Sequence, residues 1–225
     1  MSSTAPAAAG LPPVPAEAAR YALLRRLAPS MRHHLVVNLQ PIGMIYEVMD
    51  RRLRQPTPDI AHVQDSAGKI NGFARAALAS CLDVVSWLAP DDTVSTTPGE
   101  GVRECSALLA TSLSFRGYAL RNQCRPLTGS IRRSAVRNLL SATLLHCTDH
   151  LPGPAELVLT CGAEGAGAVI TITHQKTDAA RPLGVEANYR KIEWEDLQAL
   201  AAADGVQLVR AGERIELRLP WVGGA

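Results

Sequence analysis

Residues 32–42 read RHHLVVNLQPI, from Arg32 through His33 and His34 to Pro41 and Ile42. An apolar helical run here carries two adjacent histidines and then a proline. Around it Leu24, Leu27, Met31, Leu35, Leu39, Ile42, Ile45, Met49 and Leu53 recur at steps of three and four, the period of one helix face. The pattern predicts a helix over residues 17–55. Pro29 and Pro41 are expected to bend it, because each lacks an N–H and crowds the carbonyl four residues back. At about 100° per residue, His33 lies roughly 160° around from Leu35, so it is expected on the side away from the apolar stripe.

The run RQPTPD, residues 54–59, ends this helix. Thr57 reads as the N-cap of the next one, with Pro58 at its first position and Asp59 in its first turn. Ile60, Val63, Ile70, Phe73, Ala77, Leu82 and Val85 give the second helix an apolar stripe to about residue 88. The two helices form a hairpin with too little core of its own. Val37, Met44 and Val48 add apolar residues off the main stripe. A four-helix bundle built from two chains is the expected solution.

Residues 89–101 read as a linker. Beyond it the pattern predicts a helix over 102–114, a strand over 118–122 and a helix over 133–147. The β-rich runs AELVLTC and AVITITH follow, then a low-pattern stretch over 175–191. A helix ended by Gly205 and a hairpin turning at Ala211-Gly212-Glu213 close the chain. The predicted class is α+β: an N-terminal helical hairpin followed by helices on one face of a mixed sheet. The expected divisions are a disordered Ala/Pro-rich tail over 1–15, the hairpin over 16–89 and the α/β domain over 101–225.

Composition narrows the function classes. With 47% hydrophobic and 20% charged residues among 225, the chain has a real core and is not a disordered polymer. A net charge of +2 is too mild to argue for nucleic acid by itself, and 4% aromatics argue against base-stacking platforms. Five cysteines without a CxxC pair read as reduced thiols of a cytoplasmic protein. No apolar run approaches the roughly 20 residues of a membrane helix, and the N-terminus lacks the pattern of a secretory signal. His146 and His150 straddle a helix end before LPGP and read as capping rather than metal-binding residues. The basic run SIRRSAVR, residues 130–137, reads as a helix start with its solvent face.

The order of elements resembles the catalytic core of sensor histidine kinases, a phosphotransfer hairpin followed by an ATPase-like sandwich. The motif that carries the resemblance is His33-His34-Leu35-Val36-Val37-Asn38-Leu39, then Ile42, against the family's His-acid-Leu-x-x-x-Leu and a later aliphatic. It implies that His33 is a phosphoacceptor. His34 stands where active kinases carry their acidic base, and Val37 where a Thr or Asn positions water. Asn138-Leu139-Leu140 resembles the start of the family's N-box, but its magnesium ligand falls at Ala142. Asp178 lacks the glycine spacing of the adenine loop, and EANYRKIEWED replaces the second glycine-rich loop. Glycines matter there because backbone N–H groups must approach phosphates closely.

The combination resembles histidine phosphotransferases of the kinase-derived type. The function this implies is relay of a phosphoryl group between receiver-domain aspartates through His33 in a bacterial two-component phosphorelay. The chain itself would use no ATP and hold no cofactor or metal; Mg²⁺ is expected on the partner receiver. An imidazole is largely neutral and nucleophilic at pH 7, which suits such a carrier. Arg26, Ser30, Val37, Gln40, Met44 and Val48 share the His33 side of the helix at helical spacing and are the expected receiver-binding residues. Expected partners are receiver domains and a second copy of the chain, with no nucleic acid and no membrane. The alternative is a non-enzymatic pseudokinase adaptor that binds or sequesters a response regulator. The bland reading of His33 is a surface histidine on a long helix, and of the arginines a solvated face.

Overall fold

The computed structural model describes residues 13–177 and 189–223. Asp178 and most of the expected low-pattern stretch lie outside the described residues. Helix α1 (Val14–Leu53) begins two residues earlier than the expected tail boundary, with Pro15 in its first turn, where a missing N–H costs nothing. It runs through both Pro29 and Pro41. Helix α2 (Ile60–Leu88) returns alongside it. Its N-cap is Asp59, not Thr57: the Asp59 carboxylate accepts the backbone N–H of His62, 3.2 Å away.

A short ladder pairs β1 (Ser95–Thr96) with β3 (Ile131–Arg132), so the expected linker is partly structured. Helix α3 (Pro98–Phe115) starts four residues before its predicted position. Thr97 caps it by accepting the N–H of Glu100, and Pro98 supplies the first turn. Strand β2 (Tyr118–Asn122) and helix α4 (Arg133–His150) follow. Strands β4 (Ala155–Glu164) and β5 (Gly167–Lys176) form a long hairpin. Helix α5 (Trp194–Asp204), β6 (Gln207–Ala211) and β7 (Arg214–Pro220) complete the domain.

The main sheet has the order β2-β4-β5-β7-β6. β2 and β4 are parallel, joined by the crossover through α4, and the remaining pairs are antiparallel. Alternation sets the inner face. Leu157 and Leu159, Ile170 and Ile172, and Ile215, Leu217 and Leu219 are buried with Leu139, Leu140 and Leu144 of α4 and with Leu197 and Leu200 of α5. The predicted class, a helical hairpin followed by an α/β sandwich, is the observed one.

Two expectations are corrected. The first half of α1 belongs to the sandwich: Ala16, Ala19, Ala22, Leu23, Leu27 and Met31 are buried, and α1 packs on α3, α4 and α5. Small residues at three of those positions allow close helix approach. The apolar stripe of α1 is therefore consumed within the chain up to Met31, and only its second half is left for another partner. The thiols are not all reduced: Cys124 and Cys161 form a disulfide. Parallel pairing of Asn122 with Leu159 carries the chain two residues on to place Cys124 beside Cys161. Cys105 and Cys147 are free and buried, and burial pushes both thiols up to about 12.

Candidate functional site

His33 is exposed on α1, as its helix angle requires, and among the described residues no group hydrogen-bonds its ring. It lies at the edge of a cavity of about 190 Å³ between α1 and α3, lined also by Ser30, His34, Leu108, Thr111, Ser112 and Phe115. Ser30 is 7% exposed, so packing of α1 on α3 removes it from the receiver-binding residues, and its hydroxyl has no partner among the described residues. Phe115 is 77% exposed at the end of α3. No carboxylate lines this cavity.

His34 is half-buried and turns toward α2. It borders a second cavity with Ser80, Asp83 and Val84, and its ring centre is 6.3 Å from that of His33. Asn38 fixes this stretch: its amide donates to the His34 carbonyl at 3.1 Å and to Ser80 Oγ at 3.0 Å. The Asp83 carboxylate accepts from Arg137 at 2.8 Å.

Below His33, Val37, Gln40, Met44 and Val48 are all exposed. Taking about 100° per residue, they fall within roughly 60° of the His33 direction. Leu39, Tyr46 and Leu53 are also exposed, but on about the opposite side of α1. On α2, Leu78, Leu82 and Val85 form a third exposed apolar strip at coiled-coil spacing. On α1, Val37, Met44 and Val48 are thus continuous with His33, while Leu39, Tyr46 and Leu53 are turned away from it.

Arg26 is not available to a partner, which corrects its place among the receiver-binding residues. Its side chain is 4% exposed and forks onto Asp149 of α4, with both N–O distances 2.7 Å. The face counted as solvent-facing is turned inward by the packing of α1 on α4 and α5. Asp149 also accepts from Arg116 at 2.8 Å and from the Ile192 N–H at 3.0 Å. Burial alone would raise the Asp149 carboxyl; the hydrogen bonds from Arg26, Ile192 and Arg116 outweigh it and hold the carboxyl below the usual range.

The basic run at the start of α4 is likewise not a solvated face. Arg137 is buried, bonded to Asp83, Ser86 and Glu104, with its guanidinium 4.5 Å over the Trp87 ring. Arg133 joins Glu104 at 2.6 Å. Burial pushes the Glu104 carboxyl up, but Arg137 and Arg133 outweigh it and hold it down. These contacts clamp α2 to the sandwich beside His34.

The N-box-like residues serve packing. Asn138 donates to Asp204 at 3.0 Å, and Asp204 also accepts from Arg20 of α1 at 2.8 Å. Ala142, at the position of the expected magnesium ligand, is fully buried in the core. His146 and His150 both reach the Ile192 carbonyl, at 2.8 and 3.2 Å. Burial lowers His146 from its ordinary value. Among the described residues no cluster of three or more His, Cys, Asp or Glu side chains is arranged to hold a metal. No helix is long and apolar enough to cross a membrane among them.

No protein-family model matches the chain, and no curated protein matches it. Solved structures do. A histidine kinase, AdeS of Acinetobacter baumannii, is 10% identical, covering 85% of this chain and 98% of its own, with a TM-score of 0.44. A bacterial phosphotransferase is 15% identical over 93% of this chain and 98% of its own, TM-score 0.41. The ATP-binding domain of PrrB from Mycobacterium tuberculosis is 19% identical over 59% of this chain and all of its own, TM-score 0.42. At these scores none of the three assigns an activity to the chain.

Proposed function

We propose that this protein is a histidine phosphotransferase of a two-component phosphorelay. It accepts a phosphoryl group from one receiver-domain aspartyl phosphate on His33 and passes it to the aspartate of another. It works as a homodimer and without ATP. The observation that carries the reading is His33 itself: an exposed imidazole with no hydrogen-bonded partner among the described residues, standing directly above the exposed Val37, Gln40, Met44 and Val48 surface. A nucleophile that must meet an incoming phosphoryl group needs that access, and an apolar patch continuous with it gives a receiver something to bury.

The missing chemical helpers fit this division of labour. The receiver brings its own Mg²⁺ and acidic residues, so the relay histidine needs neither a neighbouring base nor a nucleotide. Ala142 buried in the core and Asn138 committed to Asp204 favour a sandwich kept for structure. The other exposed apolar strips, Leu39, Tyr46 and Leu53 on α1 and Leu78, Leu82 and Val85 on α2, suit a second hairpin, so that the dimer and the receiver use different sides.

The adaptor reading shares this docking surface and differs in one respect: it needs no phosphate on His33. Incubation with a phosphorylated receiver, followed by acid and base treatment of the protein, distinguishes the two. A relay protein gains an acid-labile, base-stable label at His33, and an adaptor binds the receiver without gaining one.

A further inference from the structure

We propose that the cavity between α1 and α3 is a seat for the phosphoryl group carried on His33, with the Ser30 hydroxyl as its hydrogen-bond donor. This rests on the phosphotransferase reading and adds a binding site to it. Ser30 lies one turn before His33 on the same side of α1, and both line the cavity. The residue is 7% exposed, and its hydroxyl has no partner among the described residues.

A helical serine can bond back to a carbonyl of the preceding turn. Ser112, on the α3 side of the same cavity, does so, donating to the Leu109 carbonyl at 2.9 Å. Ser30 makes no such bond, and the residue lines the cavity beside His33. An unpaired buried hydroxyl is costly, and an oxyanion within reach removes that cost. The volume, about 190 Å³, accommodates a phosphoryl group. With no carboxylate in the lining there is nothing to repel a dianion, and Thr111 offers a second hydroxyl from α3.

In the transfer a ring nitrogen of His33 attacks the phosphorus of an aspartyl phosphate with its lone pair. The N–P bond forms as the P–O bond to the aspartate breaks, and the aspartate leaves as a carboxylate. The proton on the other ring nitrogen stays there or passes to solvent. Ser30 keeps its own proton throughout and points it at a phosphoryl oxygen.

The test charges the full-length protein with phosphoramidate, a small phosphodonor that modifies imidazoles without a receiver, and follows it by ³¹P NMR. Ser30→Ala is expected to move the resonance of phosphorylated His33 and to shorten its half-life about three- to tenfold, the range one hydrogen bond gives. Ser30→Thr, which keeps the hydroxyl, is expected to restore both, and the uncharged Ser30→Ala protein to melt as the parent does. An unchanged resonance and half-life in Ser30→Ala overturns the seat and leaves the relay standing. A Ser30 effect on phosphoramidate-charged protein that no receiver can charge supports the seat and overturns the relay. No label at His33 from either donor overturns both.

Discussion

Arg26 of α1 and Asp149 of α4 form a two-pronged ion pair, both bonds 2.7 Å and both side chains nearly inaccessible. It joins the helix that bears His33 to the sandwich, and Arg116 and the Ile192 N–H close around the same carboxylate. Removing one member strands a buried charge. Arg26→Ala is therefore expected to destabilise the fold by about 3–5 kcal/mol, measured by urea unfolding at pH 7. Arg26→Lys should recover only part of that loss, because an ammonium cannot fork. A change under about 0.5 kcal/mol would return Arg26 to the surface.

The same carboxylate sets an acid limb. Its value in the folded chain is depressed, so its stabilising contribution is fully present above the unfolded value of about 3.9 and is lost as pH falls through the lower folded value. Urea midpoints should fall between pH 5 and pH 2.5, and Asp149→Asn should flatten part of that fall while lowering stability at pH 7. Glu104, held down by Arg137 and Arg133, contributes a second share of the limb and should survive in the Asp149 variant. An Asp149→Asn protein with the parent's acid slope would assign the limb elsewhere.

Much of this arrangement was legible in the sequence, and the gaps have physical causes. Apolar spacing located α1 and α2, because it reports local geometry, and the strand expected near residues 118–122 is β2. The helix angle placed His33 outward for the same reason. Arg26 was misread because its partner lies 123 residues away, and only the packing of α1 on α4 turns that face inward. The Cys124–Cys161 bridge depends on the parallel register of β2 and β4, which no cysteine spacing encodes. Thr111, Ser112 and Phe115 meet His33 through tertiary packing alone.

The apolar strips of the hairpin should separate by mutation. Met44→Glu is expected to weaken receiver binding about tenfold or more while light scattering still gives a dimer mass at micromolar protein. Leu82→Glu is expected to do the reverse, shifting the mass toward monomer. Dissociation of the dimer by Met44→Glu would make the His33 face the bundle core.

Mg-ATP should not bind at physiological concentration. Ala142 is buried where a magnesium ligand is needed, and Asn138 is tied to Asp204. Calorimetry is expected to show no saturable heat at millimolar nucleotide, the level of about 4 kcal/mol. Saturable binding tighter than that would restore a nucleotide role to the sandwich.

The central claim is tested most directly by phosphotransfer from a labelled receiver to this protein and on to a second receiver. The parent is expected to carry an acid-labile, base-stable label and to deliver it. His33→Gln should abolish the label with the fold intact, since an exposed helix position tolerates glutamine within a few tenths of a kcal/mol. His34→Gln should retain most of it. A label that persists in His33→Gln, or the failure of every receiver from the same genome to label the parent, would contradict the account.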